Sequence, residues 1–422
     1  MTALILALLI FSLIGTPLFA MMGGLALWLF HGAEIPSQAV MIELSRLATL
    51  PALIAVPLFT FAGYVLAESK SPQRLISLAE ALFGWMPGGI AMAGLATCAL
   101  FTAFTGASGV TIIALGGLVY PMLRKQGYPE NYSLGLITTT GSLGLLFPPS
   151  LPIILYALVG KVSVDRLFAA SAVPGVLLLL ILGAYSVVIA GKHGVSTVPF
   201  DFEKLKTAAR AAAWEIPLPF VIVGGIYAGF FTASEASAIM AFYVLVAEVF
   251  IYKDLRVRDL PGVMVRSMIL VGAILVVLGT ALGLTSYLID EKVPDLLFEM
   301  IHSRFQEKWQ FLLLLNAFLL VVNMVEIFSA IIIVVPIIVP VAMQYQIDPI
   351  HLGTLFLLNL EIGYMTPPLG LNLFLSSRRF EKGLPQLYKA TMPFWLILLG
   401  ALGIVTYVPR LSLWLPDLLK MK

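Results

Sequence analysis

Charge is what this sequence has least of. Only 11% of its 422 residues are Asp, Glu, Lys or Arg, against 60% hydrophobic, and the mean hydropathy is +1.00. So little charge cannot cover a soluble surface of this size, and a polytopic all-α membrane protein is indicated instead. The apolar runs are continuous rather than alternating, which excludes a transmembrane β-barrel. Cysteine is nearly absent: Cys98 stands alone inside an apolar run. That excludes an intrachain disulfide and leaves Cys98 as a small core residue. His31, His193, His302 and His351 all fall at the ends of apolar runs, with no HExxH and no metal-ligand spacing. No GxxxxGK[ST] loop occurs, so ATP hydrolysis by that route is excluded. The N-terminus lacks a basic stretch, so residues 1–14 are expected to be a retained helix rather than a cleaved signal.

What the chain does have is two proline pairs at membrane depth. Glu361-Ile-Gly-Tyr-Met-Thr-Pro-Pro-Leu-Gly-Leu-Asn-Leu-Phe374 lies within an apolar run over 352–377 that is long enough to cross a bilayer. Adjacent prolines cannot sit in an unbroken helix, and Gly363 and Gly370 add backbone freedom beside them. Gly144-Leu-Leu-Phe-Pro-Pro-Ser-Leu-Pro152 interrupts the run over 132–159 in the same way, at an offset of 219 residues (367 − 148). Unwound backbone at membrane depth is tolerated only where it lines a cavity or a site. Matched interruptions in two halves are the sequence mark of a secondary transporter's binding site.

The rest of the chain falls into two matching halves. Residues 1–192 give two helices, a third, a helical hairpin over 86–123 whose tip is Phe104-Thr-Gly-Ala-Ser-Gly109, the broken helix over 132–159, and a last helix. A polar connector over 193–214 follows. Residues 215–422 repeat the order, with a hairpin over 309–343 around Asn323-Met-Val-Glu-Ile-Phe-Ser329 and the broken helix over 352–377. Residues 31–47, 73–85, 194–213 and 294–308 read as amphipathic stretches lying along the interface. Thr232-Ala-Ser-Glu235 reads as a turn with Glu235 capping the next helix. Each half makes five crossings plus one re-entrant hairpin. The odd number inserts the second half upside down, an inverted-topology repeat. Loop charge agrees with this. With Arg124 and Lys125 placed in the cytoplasm, the basic loops 192–210, 253–266 and 378–382 fall inside too, both chain ends face out, and the Lys- and Arg-free stretch 344–351 falls outside.

The hairpin tips and breaks supply Thr105, Ser108, Ser142, Ser150, Asn323, Ser329, Thr366 and Asn372. Carbonyls at helix breaks together with hydroxyls suit a loosely held Na⁺, and half-helix N-termini suit an anionic substrate group. Taken singly, each intramembrane Ser or Thr is better read as bonding its own helix; their clustering at four matched breaks favours a site. Glu326 and Glu361 are the deepest acidic residues. Either faces Na⁺ or pairs with an N–H in a structural role. No arginine lies deep in a span, so no bidentate carboxylate clamp is evident.

The strings Thr105-Gly-Ala-Ser-Gly109, Gly144–Pro149 and Thr366-Pro-Pro-Leu-Gly-Leu-Asn372 resemble the large membrane subunit of TRAP transporters, the DctM-like family, along essentially the whole chain. The resemblance implies an elevator-type, Na⁺-coupled importer of small organic anions in the bacterial inner membrane. It implies two protein partners: an extracytoplasmic substrate-binding protein and a small four-helix membrane subunit. That subunit is fused in some members and would here be a separate chain. Nucleic acid is not among the expected partners. It also implies one Na⁺ near Ser108, Leu146 and Pro148 and another near Asn323, Gly363 and Thr366, with Thr105, Ser108, Ser150, Asn323, Ser329 and Asn372 facing substrate. A carboxylate symporter of the same elevator type, working without a binding protein, is the alternative. An intramembrane enzyme lacks a nucleophile–base or metal pattern, and a channel fits inverted repeats poorly. Cysteines introduced at residues 73–85 and 294–308 should be reached by aqueous labels at the interface; burial of both in a transmembrane bundle would refute the amphipathic assignment.

Overall fold

The computed structural model describes residues 15–36, 38–47, 49–322 and 327–421, and all of the regular structure described is helical. One group of helices forms a brace. It comprises α1 (Leu18–Gly32), α2 (Gln38–Leu47), α3 (Pro51–Glu68), α12 (Pro217–Tyr227), α13 (Ala233–Leu245) and α14 (Leu260–Asp290). In it α3 packs on α13 and α14, while α1 and α2 pack on α14. The turn before α13 closes as a capping box: Thr232 Oγ1 accepts from Glu235 N, and Glu235 Oε2 accepts from Thr232 N at 2.8 Å. The capping role expected of Glu235 is therefore observed.

The second group carries the breaks. The first hairpin is α5 (Gly89–Thr105), a turn at Gly106 and Ala107, α6 (Ser108–Ala114) and α7 (Gly116–Lys125). The first broken helix is α8 (Glu130–Leu143), a short 3-10 turn over Gly144–Leu146, and α9 (Leu151–Val159), with a 45° bend between its arms. α10 (Val164–His193) follows. In the second half α15 (Val293–His302) leads to α16 (Lys308–Val322) and α17 (Ile327–Gln344), the arms of the second hairpin; its expected tip lies largely outside the described residues. Then come α18 (Pro349–Gly363), a break over 364–370, α19 (Leu371–Phe380), α20 (Leu384–Tyr407) and α21 (Arg410–Leu418). Both Pro-Pro bonds, 148–149 and 367–368, are cis. Six described helices are long and apolar enough to cross a membrane, or seven with the bent pair counted as one.

The amphipathic stretches form α2, α4 (Ser71–Phe83), α11 (Phe202–Ala211) and α15. The connector is helical only over Phe202–Ala211, where Asp201 Oδ1 caps the N–H groups of Glu203 and Lys204. The expected first helix over 1–14 lies outside the described residues.

One arginine locks α4 to the brace. After α13 the helix widens into a π turn over Val246–Ile251, which directs Glu248 inward. Arg74 of α4 donates from Nη2 to both Glu248 oxygens at 2.9 and 2.8 Å, from Nη1 to Asp254 Oδ2 at 2.5 Å, and from Nε to Glu215. Its guanidinium carbon sits 3.8 Å from the centroid of the Tyr252 ring. Burial alone would lower the Arg74 pKa, but hydrogen bonds to Asp254, Glu248 and Glu215 outweigh it and raise it above the ordinary value. Glu248 is 1% exposed and Glu215 3%, so these carboxylates depend on Arg74 for compensation. Arg74→Met should destabilise the purified protein by about 3–5 kcal/mol, the range for removing one partner of a buried ion cluster. The loss should grow as pH rises and the stranded carboxylates ionise. Thermal unfolding in detergent at pH 6 and pH 8 checks both.

Candidate functional site

The first hairpin is held beside the first break by a short chain of hydroxyls. Thr111 Oγ1 of α6 lies 2.6 Å from Thr102 Oγ1 of α5, and Thr102 donates to the Gly141 carbonyl of α8 at 2.9 Å. The tip turn then brings Gly106 against Leu151, the first residue of α9. Thr105, Ser108 and Ser150 are thereby gathered and buried, with Leu146 and Pro148 buried beside them. Among the described residues, neither Thr105 Oγ1 nor Ser150 Oγ has a hydrogen-bond partner. Ser150 stands at the N-cap of α9 without capping it. Its oxygen is left free at the positive end of a half-helix.

The second break is more tightly bonded than its sequence suggests. Prolines lack the N–H groups that would pair helix carbonyls one turn back, so a Pro-Pro break tends to free them. Instead, Gly363 O accepts from Thr366 N at 3.1 Å and Tyr364 O from Asn372 N at 3.0 Å, because the segment folds into consecutive tight turns. Thr366 Oγ1 donates to Ile362 O at 2.8 Å and accepts from Trp395 Nε1 at 2.9 Å. Its hydroxyl therefore pins the break to α20. Asn323 and Glu326 lie outside the described residues; Ser329 sits half-buried near the start of α17.

The two broken helices meet in the interior. Each arm after a break packs on the hairpin of the other half: α19 on α6, and α9 on α17. Asn372 Nδ2 donates to Thr138 O at 3.0 Å and to Ser142 Oγ at 2.9 Å, and Thr138 Oγ1 donates to Ser376 Oγ at 2.8 Å. Asn372 therefore joins α19 to α8. Glu361 is fully buried close to this cluster. Farther along α18, Asn359 donates to Asn316 at 2.8 Å, Asn316 donates to Thr406 at 2.9 Å, and His351 Nδ1 lies 3.2 Å from Ser412 Oγ. Sequence reasoning missed Thr138, Ser376, Asn316, Asn359 and Trp395; for Asn316 and Asn359 the available signal was an uncharged amide inside an apolar run. No three His, Cys, Asp or Glu side chains among the described residues form a metal-holding group. The hard oxygens of the hairpin and break suit an alkali cation rather than a transition metal.

A helical membrane protein with paired interruptions and two helical hairpins has the construction of a secondary transporter. The chain belongs to the family described as "Tripartite ATP-independent periplasmic transporter, DctM component", whose profile matches residues 2–411. It is 36% identical over 440 residues, covering the whole of both chains, to the C4-dicarboxylate TRAP transporter large permease protein DctM of Rhodobacter capsulatus. It is also 36% identical to the protein of the same name from Pseudomonas aeruginosa, over 94% of this chain and 93% of that one. The crystal structure of the Alcanivorax borkumensis YdaH transporter shares the fold, with a TM-score of 0.60 at 16% identity, covering 96% of this chain and 97% of that one.

The close seating of hairpin on break rests on Gly144. A Cβ there would come within 2.2 Å of Ala99 O and 2.5 Å of Ala103 N, both helix backbone. Gly144→Ala should therefore push the break off α5, lowering stability by about 1–3 kcal/mol. Uptake should fall out of proportion to that loss, which comparison of transport with the unfolding temperature measures.

Proposed function

We propose that this chain is the carrier subunit of a Na⁺-coupled importer of small organic anions in a bacterial inner membrane. An extracytoplasmic binding protein delivers the substrate, and a small membrane subunit completes the complex. Membership of a tripartite family supports the two partners, and the names of the relatives support carboxylates as the substrate class. The observation that carries Na⁺ coupling is the pair of buried, unpartnered hydroxyls of Thr105 and Ser150. An unpaired hydroxyl in a dry interior is unfavourable unless something occupies it. Oxygens from a hairpin tip and a helix break, beside the N-terminus of a half-helix, form a site for a cation with an anion next to it.

One Na⁺ binds among Ser108, Leu146 and Pro148, with Thr105 and Ser150 close by. A second binds between the other hairpin and break, near Asn323, Gly363 and Thr366. Substrate lies between the hairpin tips, reached by Thr105, Ser108, Ser150, Asn323, Ser329 and Asn372. The two halves are inverted repeats, the unit of hairpins and broken helices moves across the membrane, and the brace of α1–α3 and α12–α14 stays fixed. Contacts across the two units, among them α3 on α5, α9 on α3 and α14 on α17, are then the sliding surfaces.

The test is uptake into proteoliposomes with the binding protein and small subunit supplied. Thr105→Val removes one oxygen that has no protein partner, so stability without Na⁺ should hold or rise. The Na⁺ concentration for half-maximal uptake should rise roughly ten- to a hundredfold, the equivalent of about 1–3 kcal/mol. Unchanged Na⁺ dependence would remove the ion from this site. Uptake independent of added binding protein would favour the stand-alone symporter.

A further inference from the structure

Each half sets an amphipathic helix against a hairpin, but the two hairpins pack differently. In the first half α4 packs on α5, and α5 packs on both α6 and α7. Small residues allow this close approach: a Cβ on Gly94 of α5 would lie 2.8 Å from Val119 Cγ1 of α7. In the second half α15 packs on α17 but hardly on α16, and α16 and α17 are parted over most of their described length. The sequence of α16 gives the reason. Lys308–Val322 contains no glycine and carries Phe311, Phe318 and an unbroken leucine run over 312–315, so its surface cannot come as close. What remains among α15, α16 and α17 is a cavity of about 380 Å³.

Every side chain lining it is Leu, Ile, Val or Phe, among them Ile301 of α15, Phe311, Leu314 and Phe318 of α16, and Val334 and Ile338 of α17. Water has nothing to bond there; an apolar cavity of about 150 Å³ already stays dry and takes an apolar ligand. Left empty, the lining would forfeit dispersion contacts over its inner surface. Phe318 lines the cavity and is 44% exposed, so the space opens sideways, beside the exposed Leu313 and Val321 of α16. On a membrane-spanning hairpin that side meets hydrocarbon. Another helix, about 10–12 Å across with its side chains, is too wide to enter. A single acyl chain is not.

Polar groups mark where such a chain begins. Ile301 is three residues before Arg304, and Phe311 three residues after Lys308, so the turn from α15 to α16 stands at one end of the cavity. Arg304 is exposed there, with Glu307 nearby, and Lys308 Nζ donates one of its hydrogens to Gln346 O at 2.8 Å. Trp309 follows at once and is exposed, a residue type that settles at the headgroup layer. Two cations at that level, directly above a wholly apolar cavity, complement a lipid phosphate and the chain below it.

We propose that the cavity between the arms of the second hairpin is a phospholipid site, with one acyl chain between α16 and α17 over α15 and the phosphate at Arg304 and Lys308. The lipid does for the second hairpin what direct helix contact does for the first: it holds the arms at a fixed spacing. No residue lining the cavity is among those assigned to Na⁺ or substrate, and the site stands independently of the carrier reading.

The test titrates the purified protein, stripped of lipid in detergent, with dioleoyl phosphatidylglycerol. Native mass spectrometry should show one retained lipid per chain, and the unfolding temperature should rise saturably. Dihexanoyl phosphatidylglycerol has the same headgroup on much shorter chains and should bind at least about tenfold more weakly. V334F puts an aromatic ring into the cavity; without lipid it should be as stable as wild type or more so, and it should lose both the retained lipid and the rise. R304Q/K308Q, altered at the exposed turn, should need roughly three- to tenfold more lipid for the half-maximal rise, the worth of two exposed ion pairs. Equal binding of the two chain lengths would overturn the proposal, because the headgroup alone would then be held. Retention of the lipid by V334F at wild-type affinity would overturn it too, as would an unchanged lipid requirement in R304Q/K308Q. Should V334F fail to accumulate, the chain-length comparison in wild type decides. None of these measurements uses uptake, so failure of the Na⁺ reading leaves their result standing.

Discussion

A bilayer offers no hydrogen bonds, so every backbone N–H and C=O at membrane depth must find a partner within the protein. This chain places two proline pairs where that requirement is hardest to meet. Much of the remaining architecture answers it. Each break is closed by local turns, as where Phe147 N donates to Gly144 O and Gly370 N to Thr366 O. Hairpin one is fitted against the first break, and each arm beyond a break packs on the opposite hairpin. The first unwound segment is thus covered by protein, with Pro148, Pro149 and Ser150 buried. Among the described residues, the buried oxygens without a hydrogen-bond partner include those of Thr105 and Ser150 at the first hairpin and break and those of Glu361 and Asn372 in the interior.

The two groups of helices use polar chemistry differently. The brace is fixed at its edge by paired charge: one guanidinium shared among three carboxylates and an aromatic face. Each charged group of that cluster has a partner. The unit of hairpins and breaks uses neutral hydroxyls and amides, with bonds such as Thr138–Ser376 and Asn316–Thr406 that join helices without adding charge to a dry interior. Uncharged polar groups cost far less than charges in a membrane interior.

The two breaks are alike in sequence and unlike in surroundings. Pro148 and Pro149 are buried, whereas Pro368 and Leu369 are exposed. Ser150 keeps a free hydroxyl, whereas Thr366 gives its hydroxyl to Ile362 and Trp395. The repeat thus supplies two similar segments, and the neighbours of each decide which oxygens remain open to a ligand.

Local rules settled much of this protein from its sequence. Proline in series breaks a helix wherever it stands, so both interruptions were readable to within a few residues. Hydropathy and loop charge do not depend on long-range contacts, and they delimited the spans, the hairpins and the amphipathic helices. Thr232 and Glu235 could be read as a cap because the capping bond spans three residues. Partners across distance were not readable. That Arg74 would face Glu215, Glu248 and Asp254 depends on a π turn and on helices about 140 to 180 residues apart. That Thr366 would bond Trp395, and that Asn372 would bond Ser142, depends on how the halves cross. A side chain's intrinsic chemistry is fixed by its identity. Whether its oxygen is spent or free is fixed by what packs against it, and only the tertiary structure decides that.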